Sequence, residues 1–335
     1  MSWVTWRQYR GQAAIAAALL AAFAAVMVVS GAQMASQWHS MLSSCTATDG
    51  VNACSAQPLG STIGRDFELL STLVPGILGI FWGAPLVAHE LETGTGIFAW
   101  TQSVTRARWL TVKAGWLLLA AAVWGGAVAA LVTWWSGPPN ALYGNAFEQN
   151  VFDVQGIVPV GYAVFATALG IAAGTMARRT LPAIAVTLAG FTGLRVLVSD
   201  AVRQHYMTAV TTYSGMLAND NIPAGSWQLS SGIVTKTWQV VPRQLSGTGG
   251  LPLGALSASC QHQISALLGQ AGGRMTPAAQ QAAFGCLQSA GFRHFVTYQP
   301  ASRFWAFQGI ETGLFVLLAA ALLAVTYVVV RRRDA

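Results

Sequence analysis

Charge is scarce in this sequence of 335 residues: Asp, Glu, Lys and Arg together make up 9% of it, against about 25% in soluble domains. Lysine occurs only twice, as Lys113 and Lys236. Hydrophobic residues reach 54%, glycine adds 35 residues, and the mean hydropathy is +0.50. A soluble fold of this composition would lack the polar groups to cover its surface, which excludes an ordinary cytosolic enzyme. The same numbers exclude intrinsic disorder. What remains is an integral membrane protein.

Catalytic signatures are missing too. Neither lysine stands in a G-x-x-x-x-G-K pattern, so the chain has no P-loop of its own for ATP. His89-Glu90 opens like a zincin motif, but Thr93 occupies the place of the second histidine. His39, His205, His262 and His294 show no metal-ligand spacing, and no G-x-S-x-G elbow occurs. The sequence therefore predicts no catalytic residue, metal site or cofactor site in this chain.

What is present is a series of apolar runs. Six are long enough to cross a bilayer, which takes about 20 residues: Ala13–Gln33, Leu69–Ala88, Leu110–Trp135, Ile157–Met176, Leu181–Ser199 and Phe304–Val330. The first could alternatively be a signal peptide, but it outruns the usual h-region of about 7–15 residues. Ahead of it, residues 1–12 carry Trp3, Trp6, Arg7, Tyr9 and Arg10, a pattern suited to a cytoplasmic interfacial helix.

The net charge of +7 reads as topology, not as a nucleic-acid footprint, because the arginines cluster beside apolar runs. A cytoplasmic N-terminus puts Arg7, Arg10, Arg106, Arg108, Lys113, Arg178, Arg179 and Arg331–Arg333 inside. The short loops opposite hold only Arg65. Both termini are expected in the cytoplasm of a plasma-membrane, multi-pass protein.

All four cysteines, Cys45, Cys54, Cys260 and Cys286, fall in segments this topology places outside. Four cysteines allow three pairings, and sequence proximity favours Cys45–Cys54 and Cys260–Cys286 on the oxidising side. Free thiols are the alternative.

The fold expected is an all-α membrane protein of six transmembrane helices, with a sizeable extracytoplasmic α+β domain between helices five and six. Helices one to five occupy 13–199, with an outer loop at 34–66 and an inner loop at 89–108. The outer domain occupies 200–303, and helix six with a basic tail occupies 304–335. Within the outer domain, Trp227–Leu229 and Ile233–Val241 have strand character, separated by Ser-Ser-Gly. Ser257–Leu268 and Pro277–Ser289 read as helices, the second with Thr276 as N-cap and Gly291 past its end.

Two ionisable residues fall inside spans: Arg195 in the fifth and Glu311 in the sixth. At ~1.5 Å per residue they stand ~21 Å and ~28 Å above Leu181 and Val330, a difference an arginine can bridge by snorkelling. Charges at such depth face a bundle interior or wet cavity. They read as a pathway lining or a structural ion pair.

The inner loop is the most informative stretch: His89-Glu90-Leu91-Glu92-Thr93-Gly94-Thr95-Gly96, then Trp100-Thr101-Gln102-Ser103-Val104-Thr105-Arg106, with Lys113 entering the next span. This E-x-E-x-G-T and T-Q-S-V-T-R pattern resembles permease subunits of the ABC type-2 exporter family, the six-span subunits of drug, antibiotic and lipid exporters. Gln299-Pro300-Ala301-Ser302-Arg303-Phe304-Trp305, leading to Glu311, looks like actinobacterial members, and the Ala-, Arg- and Trp-rich composition suits a high-GC Gram-positive source.

The resemblance implies a permease that forms the pathway for a hydrophobic or amphipathic substrate. It implies a second permease copy, homodimeric or heterodimeric, in contact with membrane lipid and no nucleic acid. A separate ABC ATPase subunit would bind ATP and Mg. Carried onto this chain, ATPase coupling falls on Glu90, Glu92, Gly94, Thr95, Gln102 and Arg106. A membrane receptor or immunity protein whose outer domain binds a ligand without transport is the alternative.

Overall fold

The computed structural model describes residues 105–136, 146–147, 149–216, 222–241, 256–270 and 276–332, helix Leu20–Gln33, and single positions between 11 and 36 and between 76 and 92. The chain divides into two compact units, Met1–Tyr206 with Ser302–Ala335, and Met207–Ala301.

The first unit is helical. Its described elements are α1 (Leu20–Gln33), α2 (Arg106–Trp135), the single turn α3 (Gln149–Phe152), α4 (Val158–Ala177), α5 (Thr180–Leu197) and α8 (Phe304–Arg332). Four helices among the described residues are long and apolar enough to span a membrane: Arg108–Trp135, Val158–Ala177, Thr180–His205 and Ala301–Arg332. They correspond to four of the six expected spans. Of the other two, α1 is part of the first, and most of Leu69–Ala88 lies outside the described residues.

Local chemistry sets the helix ends. The Thr105 hydroxyl accepts from the Arg108 N–H and starts α2, satisfying an otherwise orphaned donor. Helix α4 carries Pro159 in its first turn, where the missing N–H costs nothing, and ends on Arg178 in the left-handed region, φ +51°. The hydroxyls of Thr167, Thr187 and Thr326 donate to carbonyls four residues back, so a polar side chain needs no partner outside its own helix.

Helix α4 is the centre of this unit, with fifteen of its twenty residues buried against three of eighteen in α5. Small residues make that possible. A Cβ on Gly170 would lie 2.5 Å from the Gly79 carbonyl oxygen, and one on Gly83 would lie 2.7 Å from that of Thr167. Backbones thus touch directly, as at membrane helix interfaces, where close approach replaces the hydrophobic effect. Outward faces are apolar: Trp116, Leu119 and Val123 on α2, Leu181 and Val186 on α5, and Leu317 on α8 are all exposed. Water would disfavour such a surface, and lipid accepts it.

The fifth span runs further than expected. Beyond Leu197 it continues through a π turn, Val198–Val202, and a 3-10 turn, Arg203–His205. The second unit accordingly begins at Met207, not at residue 200. Asp200 had suggested the end of the apolar run, but Val198, Ser199 and Arg203 are buried.

The second unit is a three-stranded antiparallel sheet of order β1-β3-β2 with two helices: β1 (Val210–Ser214), β2 (Trp227–Val234), α6 (Ala258–Gln270), α7 (Pro277–Ser289) and β3 (Arg293–Gln299). The two strands expected around Ser-Ser-Gly are one: β2 runs through Ser230, Ser231 and Gly232, with a register shift between Gln228 and Ser230. Gly232 is there for space, since a Cβ would lie 2.8 Å from the Phe295 ring. After Val234 the chain turns, and Val240 returns to pair with Val234. Thr276 caps α7 by accepting from the Ala279 N–H, and Gly291, φ +84°, follows its last turn. A Cys260–Cys286 disulfide joins α6 to α7, beside a core of Ile264, Ala283, Leu287, Met216 and Leu256.

Candidate functional site

The α-helix advances about 100° per residue, so a stripe of every fourth residue drifts by about 40° at each step. Thr187, Phe191, Arg195, Ser199 and Arg203 form such a stripe on α5 and its extension. The π turn at Val198–Val202 under-winds the backbone and returns Arg203 to the side of Arg195. On α8, Phe307, Glu311, Phe315 and Ala319 are buried at the same spacing. Between α3 and α4, the turn holding Asp153 completes the site.

These elements meet in a buried polar cluster. The Arg203 guanidinium donates Nε–H to Glu311 Oε2 at 2.8 Å and Nη2–H to Glu311 Oε1 at 2.7 Å. It also pairs with Asp153 Oδ1. Arg195 donates to Asp153 Oδ2 through Nε at 3.0 Å and Nη2 at 2.8 Å. The Tyr162 hydroxyl on α4 lies 2.5 Å from Glu311 Oε1 and 3.2 Å from Asp153 Oδ1. Tyr206 donates to Glu311 Oε2 at 3.2 Å. Burial, then the Glu311 charge, pushes the Tyr206 phenol up, keeping it a proton donor. Two carboxylates face two guanidiniums, and the set is electrically neutral.

Aromatic rings enclose the charges. The Arg203 guanidinium lies 4.3 Å from the Phe152 ring centroid, and that of Arg195 lies 5.2 Å from the Tyr162 ring, distances at which a ring face attracts a cation. Phe147, Phe304 and Phe307 pack edge to face beside Phe152. One helical turn from Glu311, Gln308 Oε1 accepts from the N–H groups of Ile157 and Val158, both at 2.9 Å, and its Nε2 donates to the Phe152 carbonyl. Gln308 thereby supplies the N-terminus of α4 with a cap its sequence lacks.

Arg195 and Glu311 therefore share a site, but not as the direct pair their depths suggested. Arg195 binds Asp153, and Glu311 binds Arg203. Sequence reasoning missed Asp153, which it put in an outer loop, and Arg203, which it put in the outer domain. The signal for Arg203 was the every-fourth-residue stripe continuing past Ser199.

A second contact lies 15 residues before Arg195. Glu92 Oε2 accepts from the Thr180 backbone N–H at 3.1 Å and its hydroxyl at 2.7 Å. A carboxylate there meets the positive end of the α5 dipole. Of the other coupling positions, Arg106 opens α2, while Glu90, Gly94, Thr95 and Gln102 lie outside the described residues, as do Cys45 and Cys54.

A family model described as ABC-2 membrane transporter related matches residues 17–203, more than half of the chain. The chain belongs to the ABC-2 membrane transporter related family. The matched region of this ABC-2 protein carries Asp153, Tyr162, Arg195 and Arg203, and it reaches Glu92 and Thr180 as well. Glu311 and the second unit lie beyond it. No curated protein and no solved structure matches the chain significantly. This ABC-2 chain is thus a membrane protein of a transporter family, whose members are membrane subunits and not catalysts by themselves.

Proposed function

We propose that this chain is the membrane-spanning permease subunit of an ATP-driven exporter. In this reading it works with a separate ABC ATPase in the cytoplasm and a second permease copy, and it moves a hydrophobic or amphipathic substrate. The observation that carries it is the family match over residues 17–203, and the Glu92–Thr180 contact fits it. That contact ties the inner segment, which has the acidic-Gly-Thr pattern of a coupling loop, to the inner end of α5. The outer part of the same helix bears Arg195 and Arg203. A displacement of the inner segment would reach the buried cluster along one rigid rod about 22 Å long. With no P-loop in the chain, ATP and Mg chemistry belongs to the partner.

The test is co-expression with a candidate ATPase, purification through a tag on this chain, and ATP hydrolysis measured with and without candidate substrates in reconstituted membranes. The expected result is a stable complex whose hydrolysis is stimulated by an amphipathic substrate. A chain that purifies free of any ATPase, yet binds a ligand through residues 207–301, supports the receptor reading instead.

A further inference from the structure

The two faces of the small sheet differ. Ile233 on one face packs with the α6–α7 core. Cross-strand pairing puts Tyr213, Phe295 and Gly232 together on the other face, with Thr211 beside Thr297. On this open side Tyr213 and Trp238 form an edge-to-face pair, centroids 4.6 Å apart. They are 49% and 56% exposed, and the neighbouring Val240 is 62% exposed.

One cation joins the aromatics, and a second, Lys236, stands two residues before Trp238 in the chain. The Arg293 guanidinium lies 5.5 Å from the Trp238 ring centroid. The Lys236 stem crosses Gly291, so close that any Cβ there would collide with its Cε. Trp238 itself is held at φ +61°, in a turn closed by its N–H on the Thr235 carbonyl at 3.0 Å. A non-glycine residue in that region is strained, and such strain persists only where its surroundings impose it. Here it presents an indole to the outside. Segment 207–301 contains Lys236, Arg243, Arg274 and Arg293 but only one acid, Asp220, so its cations exceed its own carboxylates.

We infer that this aromatic and basic face, built on Trp238, Tyr213, Arg293 and Lys236, is a docking surface for anionic phospholipid headgroups. Trp and Tyr rings favour the headgroup layer, where one end is apolar and the other wet. Lys and Arg beside them add attraction to anionic lipid. The unit is joined to a span at each end: it starts two residues after the span ending at His205 and stops where the span from Ala301 begins. An open, half-exposed face also suits a layer of headgroups better than a single small molecule, whose sites are concave and enclose most of the ligand. This goes beyond the transport reading and does not depend on it.

The test uses the full chain in nanodiscs, with photoreactive benzoylphenylalanine replacing Tyr213 and adducts identified by mass spectrometry. Discs contain phosphatidylcholine alone or mixed with phosphatidylglycerol. The expected product is a phosphatidylglycerol adduct, at least fivefold above the phosphatidylcholine adduct at equal lipid content and reduced in high salt. Lys236→Glu with Arg293→Glu should lower that yield at least fivefold, provided the Cys260–Cys286 disulfide still forms. Equal yields from both lipids, an adduct to a second copy of the chain, or no lipid adduct would each overturn the proposal. The lipid comparison on the otherwise unaltered chain decides even if the double variant misfolds.

Discussion

Arg203 sits between two carboxylates where almost no water reaches, with 1% of its side chain exposed. A buried ion pair is weak support for stability in itself, because desolvation offsets most of the Coulomb gain. Removing one partner is different, since it leaves an uncompensated charge. Arg203→Met would leave Asp153 and Glu311 close together with Arg195 alone to balance them, at a cost of about 3–5 kcal/mol. Arg203→Met with Glu311→Gln removes one charge of each sign and leaves Asp153 paired to Arg195. The double variant should therefore unfold at a higher temperature than the Arg203→Met single, measured by thermal unfolding in detergent. A single variant as stable as the parent would show that the cluster holds nothing together. Arg195 and Glu311 were legible in the sequence because a charge inside an apolar run stands out at once. Asp153 and Arg203 were not, because each lies just past the end of such a run, where hydropathy assigns it to water. Only tertiary folding of the turn after Phe152, and of the π turn after Leu197, returns them to the interior.

Helices were the most readable elements, since an apolar run of 20 residues permits few other structures in a membrane. Strands were less readable. The expected break at Ser-Ser-Gly follows from propensity, but Gly232 serves the Phe295 ring packed over it, and pairing to β3 carries β2 straight through. β3 itself, Arg293–Gln299, escaped notice between a helix and a span, although it is the central strand. The packing of α4 gives a prediction at this scale. Gly170 meets backbone atoms of Gly79, Gly83 and Ala84, none of which can swing aside as a side chain would. Gly170→Leu should cost at least the 1–3 kcal/mol typical of overpacking and sharply lower the yield of folded protein in fluorescence-detected size exclusion. Gly193→Leu on α5, where nothing lies within 4 Å of an added Cβ, should leave the yield unchanged. Equal losses would mean that backbone contact does not set the tolerance, since leucine is the better helix former at both sites.

For the whole molecule, in the proposed transporter, the question is how an event at the inner face reaches the far end of the bundle. The inner loop was singled out in the sequence as an ATPase contact, with Glu92 among the contacting residues. Its carboxylate also accepts two hydrogen bonds from Thr180, which gives it a route into α5 beside any contact with a partner. That distinction can be measured in the proposed complex. Glu92→Ala removes an anion from a helix N-terminus, worth about 0.3–1 kcal/mol, too little to prevent folding or assembly. The variant should still co-purify with the ATPase while losing much of its substrate-stimulated hydrolysis. Thr180→Val removes the hydroxyl from the other side of the same contact and should act in the same direction. Because each change breaks the same link, the double variant should be little worse than either single, the non-additive result expected of residues in direct contact. If Glu92→Ala instead abolishes co-purification while Thr180→Val does nothing, the carboxylate is an ATPase contact after all. The route from the inner face to Arg195 and Arg203 must then begin elsewhere in the loop.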